Sequence, residues 1–203
     1  MSGPASNVPS MKQIDLFLMS DAAMREVIDM LDVDQLAMPV PAAWSRQPEP
    51  TLRDILAAHA YDEAWIPDVL AGKSKADGDP WTGDLLGDDP IAGYDELNDI
   101  ATEAMMSDRL TPEQIVHFQY GDYPLSEGLL HVSMYRAFQA WSVAHLVGLD
   151  YQLPDALVDM LWDQLVPRAE EFRSYGAFLP EVTVPEGSSK EVRLLGIAGY
   201  YVP

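Results

Sequence analysis

Apolar residues recur at helical spacing through most of the chain, and the pattern predicts five helices. Ile14, Leu18, Val27, Ile28 and Leu31 mark the first, from about Met11 to Leu31. The Pro-rich connector "MPVPAAWSRQPEP" ends at Thr51, a residue suited to cap a second helix with Asp54 in its first turn. That helix runs to about Leu70, where Ala71–Gly72 stops it and Pro67 bends the last turn. A third covers about Tyr94 to Ser107, and a fourth, capped by Ser126, reaches Val147 before Gly148. A fifth fits Asp155 to Ser174. "QIVHFQYGDYP" reads as extended, with a turn at Gly121–Asp122. Residues 1–10 read as a disordered tail, and residues 73–90, rich in Gly, Asp and Pro, as a long solvated acidic loop. Past residue 174 the chain reads as mostly extended, with one helical turn near Glu191–Leu195. Residues 11–203 thus predict a single all-α domain, a bundle with an extra short helix and an extended C-terminal tail.

Two helices carry polar groups on their oily side. With His59 at zero on the wheel of the second helix, Leu52, Ile55, Leu56, Ile66 and Leu70 all fall within about 60° of it. Glu63, one turn on, shares that arc, while Asp54, Tyr61 and Asp68 face the opposite way. The fourth helix is apolar nearly all round, except that His131, Tyr135, Gln139 and Ser142 share an arc of about 80°. A buried carboxylate is costly unless paired. The two stripes therefore predict a common cleft for a small-molecule ligand, lined by His59, Glu63, His131, Tyr135 and Gln139. Imidazoles and a carboxylate suit zinc, nickel or iron. A His–Glu hydrogen bond in the core, or water in the cleft, accounts for the same residues.

Composition narrows the chemistry. The 203 residues carry 12 Lys plus Arg against 33 Asp plus Glu, a formal charge of -21. Such a surface repels phosphate backbones and anionic lipid, so neither nucleic acid nor a membrane is an expected partner. With no cysteine, a thiolate nucleophile, a disulfide or a cysteine zinc site is excluded. "MSGPASNVPSMKQ" lacks the layout of a signal peptide, and no apolar run approaches the roughly 20 residues of a membrane helix. A cytoplasmic protein is expected. No G-x-S-x-G elbow and no Gly-rich phosphate loop occurs.

The stretches "TLRDILAAHAYDEAWIPDVLAG", "FQYGDYP", "YRAFQAWSVAHLVGLD" and "GAFLPEVTVP…VRLLGIAG" carry a resemblance that covers most of the chain from Met11 to Gly199. In that order they resemble the DinB-like metalloenzyme superfamily, most of all the actinobacterial group related to the metal-binding domain of mycothiol-dependent maleylpyruvate isomerase. The resemblance implies an up-down four-helix bundle, with a divalent metal held by a histidine of the second helix and two donors of a later one. It also implies use of a low-molecular-weight thiol such as mycothiol, and a homodimer at the family level. The helix-two histidine corresponds to Ala58 or His59 according to register, and the wheel favours His59.

This chain departs from the family at the later motif. Gln139 and Ser142 stand where the usual histidine and acid would be, and Tyr135 stands one turn before. These are poor metal donors, leaving a rearranged set of His59, Glu63 and His131. In an active enzyme His59 and His131 would hold the metal. Glu63 would act as base or orient them, Tyr135 or Arg136 would steady an oxyanion, and Gln139 and Ser142 would face the cofactor. The extra C-terminal domain of maleylpyruvate isomerase has no counterpart of that size after residue 174, so that isomerisation itself is not expected. The alternative is a non-catalytic protein that binds a small ligand or dimerises and has lost the metal.

Overall fold

The computed structural model describes residues 12–107 and 109–202, so the expected tail at 1–10 and the helix start at Met11 lie outside the described residues. Helix α1 spans Lys12–Asp29 and buries Leu16, Phe17, Ala23, Met24, Val27 and Ile28 on one stripe. Helix α2 spans Leu52–Leu70. Its entry is fixed as the sequence suggests, because the Asp54 carboxylate accepts the Thr51 backbone N–H and hydroxyl, both at 2.7 Å. Such a cap contributes about 1 kcal/mol. Helix α3 is Pro90–Met105, four residues earlier at its start than the periodicity predicts. Asp89 caps it by accepting the Ala92 N–H, and Pro90 supplies a fixed φ where no N–H is needed.

Strands β1 (Ile115–Phe118) and β2 (Gly121–Pro124) form an antiparallel hairpin with Phe118 opposite Gly121. The turn is therefore Gln119–Tyr120, two residues before the expected one, and the protein is mostly helical rather than all-α. Gly128 on the next helix lets the hairpin come close, since a Cβ there would stand 2.5 Å from the Phe118 ring. That helix, α4, spans Leu125–Val147 and ends at Gly148 in the left-handed region.

The expected fifth helix is broken. α5 covers Asp155–Leu165, a 3₁₀ turn covers Val166–Arg168, and α6 covers Ala169–Ser174. Pro167 lacks the N–H that a continuous helix would use. The C-terminal segment contains a real helix, α7 (Lys190–Ala198), longer than the expected turn because Ser189 caps it through the Val192 N–H.

The segment after α2 is largely exposed, as its composition predicts, but it is tied to α2 at three points. Asp79 accepts the Tyr61 hydroxyl at 2.7 Å, Asp68 accepts the Trp81 indole N–H at 3.3 Å, and Arg53 donates to Asp84 at 2.7 Å. Leu86 is buried, so its acidic residues strap the chain onto the outer face of α2.

α1 lies close along α4, and α2 along α3, with α1 also touching α3. The buried apolar side chains form two clusters, one including Leu56, Ala60 and Tyr94, the other Trp65, Ile66, Ala101 and Met105. Along α2 and α3, Glu63 and Asn98 fall between residues of the two clusters, and both are buried. A polar layer interrupts the core there. No described helix is long and apolar enough to cross a membrane.

Candidate functional site: a buried arginine and its neighbours

Arg136 of α4 has no exposure at all. A charge so placed is tolerated only when paired. Its Nε donates to Glu63 Oε1 on α2 at 2.9 Å and to Asp21 Oδ1 on α1 at 3.2 Å. Nη2 stands 2.8 Å from the same Glu63 oxygen but out of line for a hydrogen bond. The guanidinium carbon lies 4.9 Å from the centre of the Phe17 ring, over its face. α3 completes the layer: Thr102 Oγ1 donates to Asp21 Oδ2 at 3.0 Å, and the Tyr94 hydroxyl reaches Glu63 Oε1 at 3.5 Å. Four helices contribute to this one layer.

Two carboxylates share this single cation, so one of them is left to carry the cost of burial. Desolvation pushes the Glu63 carboxyl up to about 8, with Asp21 adding to the rise and Arg136 opposing it. Burial works against the Arg136 charge, yet Glu63 and Asp21 outweigh it and raise the guanidinium further. His59, fully buried one turn before Glu63, is pushed down to about 3 by desolvation and by the Arg136 charge. It is a neutral imidazole, stacked on Tyr135 with ring centres 4.7 Å apart and planes 15° apart. Neither His59 nitrogen has a hydrogen-bond partner. Tyr135 is half-buried, and its hydroxyl is pushed up to about 12 by burial.

The other residues expected in the cleft divide. Gln139 is buried with Nε2 unpartnered. Ser142 donates to the Phe138 carbonyl at 2.7 Å, so its hydroxyl is spent on its own helix. His131 belongs to a second centre: its Nε2 lies 3.1 Å from Glu127 Oε1, and its ring packs edge-on against Tyr123 at 4.9 Å. Arg168 donates to both Glu127 oxygens, at 2.9 and 2.6 Å, and to both Glu171 oxygens, each at 2.8 Å. Beside it opens a cleft of about 290 Å³ lined by Gln13, Ser126, Glu127, Leu130, Gln164 and Arg168.

A catalytic divalent ion needs about three protein donors and an open position. Among the described residues, no group of three or more His, Asp or Glu side chains is placed to hold one. The charges give the reason. Glu63 is taken by Arg136 and His131 is engaged by Glu127, so the set of His59, Glu63 and His131 does not assemble. A fixed guanidinium beside Glu63 also repels a second cation. The residues present do not fit the metal that the resemblance implies.

Comparison with known proteins is silent. No protein-family profile, no curated protein and no solved structure matches the chain.

Asp21, Tyr94 and Thr102 were not legible as site residues from the stripes of the second and fourth helices. For Asp21 a signal exists: it lies one turn from Phe17 and from Met24, and two from Ile28, all on the buried stripe of α1. Tyr94 and Thr102 give none, since a tyrosine and a threonine on a half-buried helix have many ordinary uses.

Proposed function

We propose that this chain is a DinB-like up-down four-helix bundle that works without a resident metal and binds a small molecule between α2 and α4. The buried ion pair of Arg136 with Glu63 and Asp21 carries this reading, because a permanent cation stands among the groups a metal would need. The order of the resembling stretches supports the family placement, and helices α1 to α4 supply the elements that the family fold requires. Gln139 and Ser142 are consistent with it, being neutral where a metal-dependent relative has strong donors. His59 and Tyr135 remain as an aromatic wall, and the neutral imidazole binds or orients a ligand rather than anchoring an ion.

Metal analysis of protein purified without a histidine tag and reconstituted with zinc, nickel and iron tests the reading. The expected content is far below one ion per chain. About one ion per chain, lost in His59→Ala, overturns it and favours a metal- or thiol-dependent enzyme instead.

A further inference from the structure

The polar atoms facing one another between α2 and α4 are incompletely used. Arg136 Nη1, Gln139 Nε2, Glu63 Oε2 and both His59 nitrogens are buried and lack hydrogen-bond partners. More than about 90% of buried polar groups are paired in native proteins, so such a set on two facing helices marks a place where a partner belongs. α1 lies close along α4 and α2 along α3, whereas α2 and α4 meet through the long side chains of His59, Tyr135, Glu63 and Arg136. Gln139 sits about one turn beyond both Tyr135 and Arg136 and so shares their side of α4.

The free atoms define the partner's chemistry. Guanidinium and amide N–H groups only donate, and neutral imidazole offers one donor and one acceptor. Glu63 Oε2, whose sister oxygen is bonded to Arg136, is left as an acceptor, against the four N–H groups carried by Nη1 and Nε2. Donors therefore outnumber acceptors, which calls for an acceptor-rich molecule. Charge limits it further: the Arg136 guanidinium is already matched by Asp21, and the chain's formal charge of -21 opposes an anion. We propose that the unpartnered polar groups of α2 and α4 take up a small uncharged carbonyl compound between them, whose oxygen accepts from Arg136 Nη1 and Gln139 Nε2 while His59 meets the group beside it. Tyr135, the only half-buried member of the set, marks the way in. This rests on the metal-free reading above, and names the class of ligand for that same place.

Acetamide, the smallest suitable amide, serves as probe and acetate as its charged counterpart. Each is titrated into the full-length protein while the nitrogen shifts of the His59 ring and the Arg136 guanidinium are followed by NMR. A saturable shift with acetamide, and none with acetate at the same concentration, is expected. In Gln139→Leu the affinity falls about tenfold, the equivalent of one hydrogen bond. No saturable shift with acetamide, or equal binding of acetate, overturns the proposal. That failure in metal-free protein leaves the metal-free reading standing, whereas a metal ion bound at His59 removes both.

Discussion

The molecule contains two arginines with nearly the same partners and opposite surroundings. Arg136 sits between Glu63 and Asp21 with His59 beside it, all four wholly or almost wholly buried. Arg168 sits between Glu127 and Glu171 with His131 beside it, and all of these keep some contact with water. At the outer centre the Arg168 hydrogen bonds hold the Glu127 and Glu171 carboxyls below their ordinary values, so both stay ionised. At the inner centre desolvation wins, and Glu63 rises instead. The same pairing is an ordinary surface network in one place and a buried, underused polar layer in the other. Burial, more than the identity of the charges, separates them.

Removing each arginine in turn gives the largest contrast. Arg136→Leu strands two buried carboxyls and is expected to cost about 3–5 kcal/mol, whereas Arg168→Leu costs about 0–1 kcal/mol, as exposed pairs do. Equilibrium urea unfolding of the two variants measures both, and equal losses would break the comparison. Next in size is His59→Phe, which keeps the stack on Tyr135 and removes two unpartnered buried nitrogens. Replacing unsatisfied polar atoms by apolar ones of similar shape is neutral or stabilising, and a gain of about 1 kcal/mol is expected. A clear loss would mean that the imidazole has a partner.

The remaining effect lies in the pH profile. A carboxyl raised from 4.5 to about 8 on folding binds its proton more tightly in the native state, so Glu63 lends stability that is complete below 4.5 and lost as pH rises towards 8. His59, lowered from 6.5 to about 3, acts the other way: its contribution is complete above 6.5 and lost as pH falls towards 3. The two slopes oppose each other between 4.5 and 6.5 and leave Glu63 alone above that. Urea midpoints of the native protein should therefore fall between about pH 6.5 and 8, and Glu63→Gln should flatten that fall. An unchanged slope in Glu63→Gln would show that another group titrates.

Most helices, with the ends at Thr51 and Gly148, were legible in the sequence, because Thr51 with Asp54 and Gly148 act through local hydrogen bonding and backbone freedom. Ser126, the expected cap of α4, instead lies inside a helix that Pro124 precedes. The break at Pro167, the hairpin turn and the full length of α7 were less so, since a proline near a helix end and a short strand give signals that tertiary contacts decide. His59 and Glu63 were placed correctly on the inward face of α2, and the His59–Tyr135 pairing across to α4 followed. Arg136 was not legible as the centre. Its partner Asp21 lies 115 residues away along the chain, and no local pattern links them. His131 misled for a related reason: helical spacing gives a direction around α4, not the neighbour that the hairpin and Arg168 bring to it. The acidic segment after α2 was legible as exposed, but composition does not show which outward groups, Tyr61, Asp68 and Arg53 among them, will hold it.

The central claim is that the Arg136 guanidinium occupies Glu63, one of the groups a metal ion would need. A crystal structure with anomalous scattering, from crystals soaked in zinc or nickel, tests it most directly. The account predicts Arg136 still bonded to Glu63 and Asp21, with no anomalous peak within about 2.2 Å of a His59 nitrogen. A peak bonded to His59, with the arginine swung away from Glu63, would contradict it.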